Sequence, residues 1–510
     1  MAGRLSAVSL AAPGFYGLNT QESGITISSG FALEATNCII DKFGRIGSRK
    51  GWSTYSNTSA SVTGAVRAIS QFTKSDGSLE ILFTANNKLW KLDGNSDPVE
   101  LTADDTSAIT ITDDDWQIIT YNNHAVFVQD NHVPVYYDAS ADTYKEYTSV
   151  PFTHLQCGAS CFNRVWAAED NIVYWTKILE PQSFTGTGSG QINIREIFGE
   201  DDDVTAISNY NNRLVIFGRR NIAFFAGAED PTSTTFQMTD HIKGIGCIAR
   251  DSVQNVGTDV VFLSAEGVRT IGRVIQEQSS PIGDVSKNVR DEIVQYTAGE
   301  AQYRIKSVYS PKDAFYLLTL PATGYTYCFD MRAQLQDSSR RVTLWTDITP
   351  SAYTVLKDNT LLVGQVGYVG RYAGFTDNGT TYRLSYYTNY FDFDNSTIEK
   401  ILKKVRLAII GATNQDAALK WAFDYNIDYN ATSFVLSEGI TSEYNVDQYF
   451  SDDDTDNEAE YSSGIVLDNI SLNLGGKGAV LQIGIEADID GGALSIQKMD
   501  IFAKTGKIVS

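Results

Sequence analysis

The strongest constraint on this chain is a repeating unit made of an apolar run, a polar turn and a second apolar run. The unit recurs with loose self-similarity from about residue 64 to residue 375. Instances are LEILFTANNKLWKLDG (79–94), WQIITYNNHAVFVQDNHVPVYYD (116–138), FNRVWAAEDNIVYWTK (162–177), YNNRLVIFGRRNIAFFAGAEDP (210–231) and GTDVVFLSAEGVRTIGR (257–273). DNTLLVGQVGYVGRYAG (358–374) ends a longer unit. Runs rich in Val, Ile, Phe, Tyr and Thr, cut by Asn-Asn, Glu-Asp or Glu-Gly, read as β-hairpins. A lone hairpin cannot bury both of its faces, so each must stack on its neighbours.

Units spaced by roughly 40 to 50 residues have the length of propeller blades, and about six can be counted. The sequence therefore predicts an all-β chain with a β-propeller-like domain of about six blades over 61–380. No strict Trp-Asp signature marks the repeats, and an array of β-sandwiches is the competing arrangement. Residues 1–60 read as an N-terminal arm or platform segment, ordered or docking, because Pro13 and Gly14 break its apolar start too early for a secretion signal.

After about residue 380 the pattern changes to alternating strands: SYYTNYFDF (385–393), KVRLAII (404–410), ALKWAFDY (418–425), VLQIGIEA (480–487) and LSIQKMDIFAK (494–504). Alternation suits strands buried on one face, so 381–510 is expected to be a C-terminal antiparallel β-sandwich or platform domain. Within it, 442–464 is acidic and polar and reads as a long exposed loop. Helix is scarce. DVSKNVRDEIVQY (284–296) is the best candidate, with Asp284 as N-cap and Val285, Val289 and Ile293 on one face. STIEKILKKV (396–405) fits either a short helix or the entry to a strand.

Composition narrows the function. The net charge of −22 leaves no basic footprint for gripping phosphates, so sequence-specific nucleic-acid binding is not expected. A negative wall is still compatible with DNA passing by without sticking. The 27 Tyr suit strands and wet subunit interfaces. No run approaches the roughly 18 apolar residues of a membrane helix, so stable membrane insertion is not expected.

Chemistry-bearing motifs are sparse. The five cysteines include one close pair, Cys157 and Cys161, which with His154 makes the sole candidate metal trio; buried free thiols are the default. The acidic groups Asp113–Asp115, Glu200–Asp203 and Asp452–Asp454, and the alternating Asp488 and Asp490, lack the spacing of an EF-hand loop and read as solvated loops. There is no G-x-S-x-G elbow, Walker A or Rossmann glycine pattern. Trp116, Trp166 and Trp345 are candidate sugar platforms for a glycosidase or glycan-binding propeller, weighed against core positions. No catalytic residue, metal or cofactor is assigned, and the chain is expected not to be an enzyme.

The stretch 14–52 carries the most specific signal: Leu18-Asn19, Ala35, Asn37, Gly44-Arg45-Ile46 and Arg49-Lys50-Gly51-Trp52. With Phe162-Asn163-Arg164-Val165-Trp166, Tyr210-Asn211-Asn212-Arg213-Leu214 and the SAEGVR run at Ser264–Arg269, it resembles the tail nozzle (tail tubular protein B-like) proteins of short-tailed bacteriophages. The resemblance covers most of 14–375 and is weaker over the last 130 residues.

It implies a virion structural protein of the tail, assembled in the host cytoplasm as a homohexameric ring below a tail adaptor or head–tail connector. The genome would be retained and ejected through its acidic-lined lumen, and fibres or spikes would attach to it. Six copies at −22 would carry roughly −130. Arg45, Arg49, Lys50 and Trp52 are the expected interface turn, against an ordinary turn packed on its own domain. Asp201, Asp202, Asp203, Asp452, Asp453 and Asp454 are expected in acidic loops at the channel or tip.

Overall fold

A computed structural model describes residues 5–55, 62–93, 97–104, 109–257, 259–272, 285–410, 415–435 and 467–508. The chain divides into two units, one of 1–52, 341–347 and 373–510, the other of 53–340 and 348–372.

In the second unit the repeated hairpins become successive sheets, and the local reason is the turn. Asn86-Asn87, Asn122-Asn123 and Asn211-Asn212 all have φ between 43° and 63° at both positions. Each dipeptide lies between directly paired flanking residues: Ala85 with Lys88, Tyr121 with His124, and Tyr210 with Arg213. Two left-handed residues in a two-residue loop make the turn whose twist matches a β-hairpin, and Asn tolerates that conformation better than most residues. Phe162-Asn163 makes the same turn between Cys161 and Arg164, with a bulky residue in the left-handed region.

Six sheets follow one another, the six-blade propeller arrangement expected. Their first strands are Ala68–Thr73, Gln117–Tyr121, Cys157–Cys161, Val204–Tyr210, Gln254–Val256 and Lys306–Ser310. A further sheet of Ala352–Val355, Leu361–Gln365 and Tyr368–Tyr372 stands between the sixth and the first and closes the ring. The first strands of neighbouring blades lie against each other around the axis. The chain enters along the closing sheet: Tyr55 N–H donates to Val369 O over 2.9 Å, and Val66 N–H to Gln365 O over 3.1 Å.

The core lies between blades. Leu214 and Ile216 pack toward the third blade with Trp166 and Val173, whereas Val215 and Phe217 pack toward the fifth with Val260 and Phe262. Side chains alternate across a strand, so a strand with a neighbour on each face must be apolar throughout. That is why these runs lack alternation in sequence. Trp116, Trp166 and Trp345 are among the largest fully buried side chains and offer no sugar platform. Tyr137, Tyr174, Tyr316, Tyr327 and Tyr386 are also buried, so these tyrosines serve packing and not a wet interface.

The first unit joins the two ends of the described chain. Leu5–Ala11 pairs antiparallel with 498–504 of the strand Ser495–Ile508, which also pairs with Ile398–Ile410. The latter is a strand, so the segment 396–405 resolves to strand entry. Val405, Leu407 and Ile409 are buried while Arg406 is exposed, the one-sided pattern expected for this region. A second sheet runs in the order Arg341–Trp345, Gly17–Leu18, Phe31–Thr36, Tyr382–Thr388, Leu481–Ile489, Asp416–Phe423, Asn430–Val435. The expected helix after residue 284 is an α-helix at Arg290–Thr297 preceded by a 3-10 turn at Lys287–Val289; Asp284 lies outside the described residues. Among the described residues no helix is long and apolar enough to cross a membrane.

Candidate functional site

At the propeller axis, charged residues stand where the chain enters four of the blades. Arg67 precedes the first, Asp115 the second, Arg250 and Asp251 the fifth, and Arg304 and Lys306 the sixth. Arg250 donates from Nε to Asp251 Oδ1 over 3.1 Å and from Nη1 to Gln156 O over 3.0 Å. Its Nη2 reaches Asp251 Oδ2 at 3.2 Å and Asp115 O at 3.3 Å. Lys306 Nζ donates to Asp251 Oδ2 over 2.6 Å, and Ser307 Oγ to Asp251 O over 2.8 Å. Asp115 stands 3.5 Å from both Arg67 and Arg304.

Burial alone would raise the Asp251 carboxyl, but Arg250 and Lys306 outweigh it and hold the group at about 2. For Asp115 burial wins over Arg67 and Lys306, and its carboxyl is raised. Asp114 beside it is pushed up to about 6 by burial, against the Asn87 N–H it accepts at 2.7 Å. Next to this cluster lies a cavity of about 410 Å³ lined by Gln117, Ser208, Arg250, Asn255, Ser307 and Tyr353, among others. A carboxylate held at about 2 between two cations cannot act as a general acid near neutral pH. The cluster ties blades together and leaves a small polar hollow.

The sequence signal for this cluster is a charged residue at or just ahead of the first strand in four of the six blades. Both signs occur among these residues, and their pairing shows only when the ring closes.

The expected interface turn is largely internal. Arg49 is fully buried and binds Asp377 through both terminal nitrogens, at 2.8 and 2.6 Å. Its Nε donates to Asn37 Oδ1 over 3.1 Å, and its guanidinium lies 3.9 Å from the centre of the Tyr382 ring. Arg49 is therefore a structural arginine and has no surface to offer a partner. Gly51 is required by close approach, since a Cβ there would stand 1.9 Å from Thr376 O. Arg45 is nearly buried and held by Asp41 at 2.6 Å, while Lys50 and Trp52 are half-buried.

The acidic loops also part company. Asp202 is buried and accepts Asn221 Nδ2 at 2.6 Å and Arg220 N–H at 3.1 Å, so it caps a turn within blade four. The groups it caps at 219–221 occupy its carboxylate. Asp201 and Asp203 are exposed, and Asp203 accepts Asn171 Nδ2 at 2.9 Å. Asp452, Asp453, Asp454 and the loop 442–464 lie outside the described residues. Burial pushes both the Cys157 and Cys161 thiols up to about 12. Among the described residues no three His, Cys, Asp or Glu are grouped to hold a metal.

The motifs on which the sequence resemblance rested sit at fold-determining points: left-handed turns at 162–163 and 211–212, and the buried Arg49. A family profile described as bacteriophage P22 Gp10, β-propeller, matches residues 94–366, more than half of the chain. The chain belongs to the bacteriophage P22 Gp10 β-propeller family. Membership makes it a tail-associated phage protein of a structural family. The Gp10-family match runs from the end of the first blade through the fifth and sixth blades into the closing sheet.

A search of curated proteins returns no match. Among solved structures, BamB from Moraxella catarrhalis aligns at 12% identity over 72% of this chain and 97% of its own, with a TM-score of 0.38. The extracellular domain of the putative one-component system BT4673 from B. thetaiotaomicron aligns at 12% identity over 64% and 40%, with a TM-score of 0.41. YCF48 from Cyanidioschyzon merolae aligns at 9% identity over 63% and 99%, with a TM-score of 0.41.

Proposed function

We propose that this protein is a non-enzymatic subunit of a nozzle-type ring in a phage tail, through which the genome is retained and then ejected. The observation that carries the reading is the Gp10-family match over 94–366. The axis of the propeller supports a conduit built between copies. Its hollow of about 410 Å³ has the size of a small-molecule pocket, and charged side chains tie the blades beside it. A lumen for duplex DNA would therefore be walled by the outer surfaces of several copies, six in the resemblance that suggested it. A net charge of −22 per copy keeps DNA sliding along such a wall. Its partners would be a tail adaptor above and fibres or spikes at the side.

The test is the mass of the purified full chain by light scattering, with negative-stain imaging of the same sample, alone and mixed with a tail complex. Rings of about six copies in either condition support the reading. A monomer that ignores tail components overturns it, and binding or cleavage of a glycan by that monomer would favour a propeller lectin or glycosidase.

A further inference from the structure

Within the first unit, two hairpin ends present matched chemistry that the described residues leave exposed. The first is the loop between Asp416–Phe423 and Asn430–Val435, at one edge of its sheet. Asp424 and Tyr425 are both left-handed there, with φ of 52° and 63°, which turns the chain sharply and pushes Ile427 outward. Ile427 is 87% exposed and Tyr425 48% exposed, with the Tyr425 ring edge-on to Tyr390 at 4.7 Å. Acid surrounds this apolar tip: Asp428 and Asp394 are exposed, and Asp424 and Asp392 both act on the Tyr425 hydroxyl.

The second end is the turn between Cys38–Ile40 and Ile46–Ser48, at an edge of the other sheet. Asp41 accepts the Phe43 and Arg45 N–H groups at 2.8 and 2.9 Å, a local bond pattern that presents Phe43 to solvent. Phe43 is 49% exposed, with Lys42 Nζ 5.0 Å and the Arg45 guanidinium 4.4 Å from its ring centre. Arg45 is paired with Asp41, and Lys42 adds an exposed positive charge.

The hairpin's outer strand adds an independent observation. Among the described residues Asn430–Val435 is an edge strand of six residues without charge or proline, and its pairing to Asp416–Phe423 runs without a bulge. Edge strands normally carry such guards, and an unguarded one calls for a cover.

We infer that the acidic Tyr425–Asp428 tip of one copy docks on the basic Lys42–Phe43 turn of a second copy, with Ile427 against Phe43 and Asp428 against Lys42. The two surfaces differ, so the contact is head-to-tail, the kind that closes rings. This deepens the ring reading above and rests on it.

The experiment uses the full chain in whichever condition, alone or with a tail complex, the unaltered protein assembles. Asp428→Lys and Lys42→Glu are each expected to reduce ring formation about tenfold at equal concentration, since each sets like charges against each other. The double variant restores it. Unchanged melting temperatures of the single variants separate lost assembly from lost folding. Rings that persist in both single variants, or a double variant that does not recover, overturn this contact and leave the ring reading standing. An unaltered protein that assembles in neither condition overturns both.

Discussion

The Lys306 ammonium stands 2.6 Å from Asp251 Oδ2, although 55 residues separate the two in sequence. Arg250 grips the same carboxylate, at 3.1 and 3.2 Å, and passes the connection on to the backbone of Gln156 and Asp115. One acidic side chain thus links the entrances of the fifth and sixth blades, and its arginine reaches the second and third.

Asp251→Asn removes the charge but keeps the shape, leaving Arg250 and Lys306 facing each other with little solvent to screen them. Breaking one side of a buried pair costs about 3 kcal/mol or more. The variant is expected to melt well below the parent. Acid should reproduce the effect: the folded carboxylate stays ionised down to about 2, whereas the unfolded one takes up its proton near 3.8. Its contribution is therefore complete above pH 3.8 and lost as pH falls toward 2, a loss that the Asn variant should lack.

Arg49→Lys keeps the charge at a site built for a planar fork. The two bonds to Asp377, the Nε bond to Asn37 and the stacking on Tyr382 cannot all be made by an ammonium. A loss of about 2–3 kcal/mol is expected, read from urea unfolding of the first unit's signal. A variant as stable as the parent would refute the structural role.

Asp114 titrates in the opposite sense to Asp251. Its folded carboxyl keeps a proton up to about 6, while the unfolded one releases it near 3.8. The folded state binds more protons across that window, so this group makes stability fall as pH rises from about 4 to 6. Asp114→Asn retains an acceptor for the Asn87 N–H and should flatten that part of the melting-temperature profile.

The paired left-handed asparagines carry the hairpins. Asn211→Ala and Asn212→Ala should each destabilise by about 1 kcal/mol, because the left-handed region is disfavoured for a residue without a short polar side chain to hydrogen-bond locally. Asn211→Gly should be tolerated to within a few tenths of a kcal/mol. Equal effects of Ala and Gly on the melting temperature would argue that φ is not the reason for Asn at these turns.

Much of the propeller was legible because its signals are local. Asn-Asn between two apolar runs names a hairpin, and the spacing of such hairpins names a blade. The site was less legible. Arg49, Lys50 and Trp52 looked like one surface motif, yet burial separates Arg49 from the other two. Asp201, Asp202 and Asp203 looked like one acidic loop, yet the middle residue turns inward to cap 220–221. A run of charges gives no sign of which member faces a backbone N–H, since that depends on a neighbouring turn.

By itself, the sequence determined the strand-and-turn vocabulary, the blade repeat and the acidity of the protein, because φ preferences and alternation act over a few residues. Tertiary structure alone decided which charges meet. Asp251 with Lys306, Arg49 with Asp377, and the strand Leu5–Ala11 with 498–504 join residues 55, 328 and nearly 500 positions apart. Such pairings exist only once closure of the ring and the sheets has made distant segments neighbours. Desolvation there makes an unmatched charge too costly to leave alone.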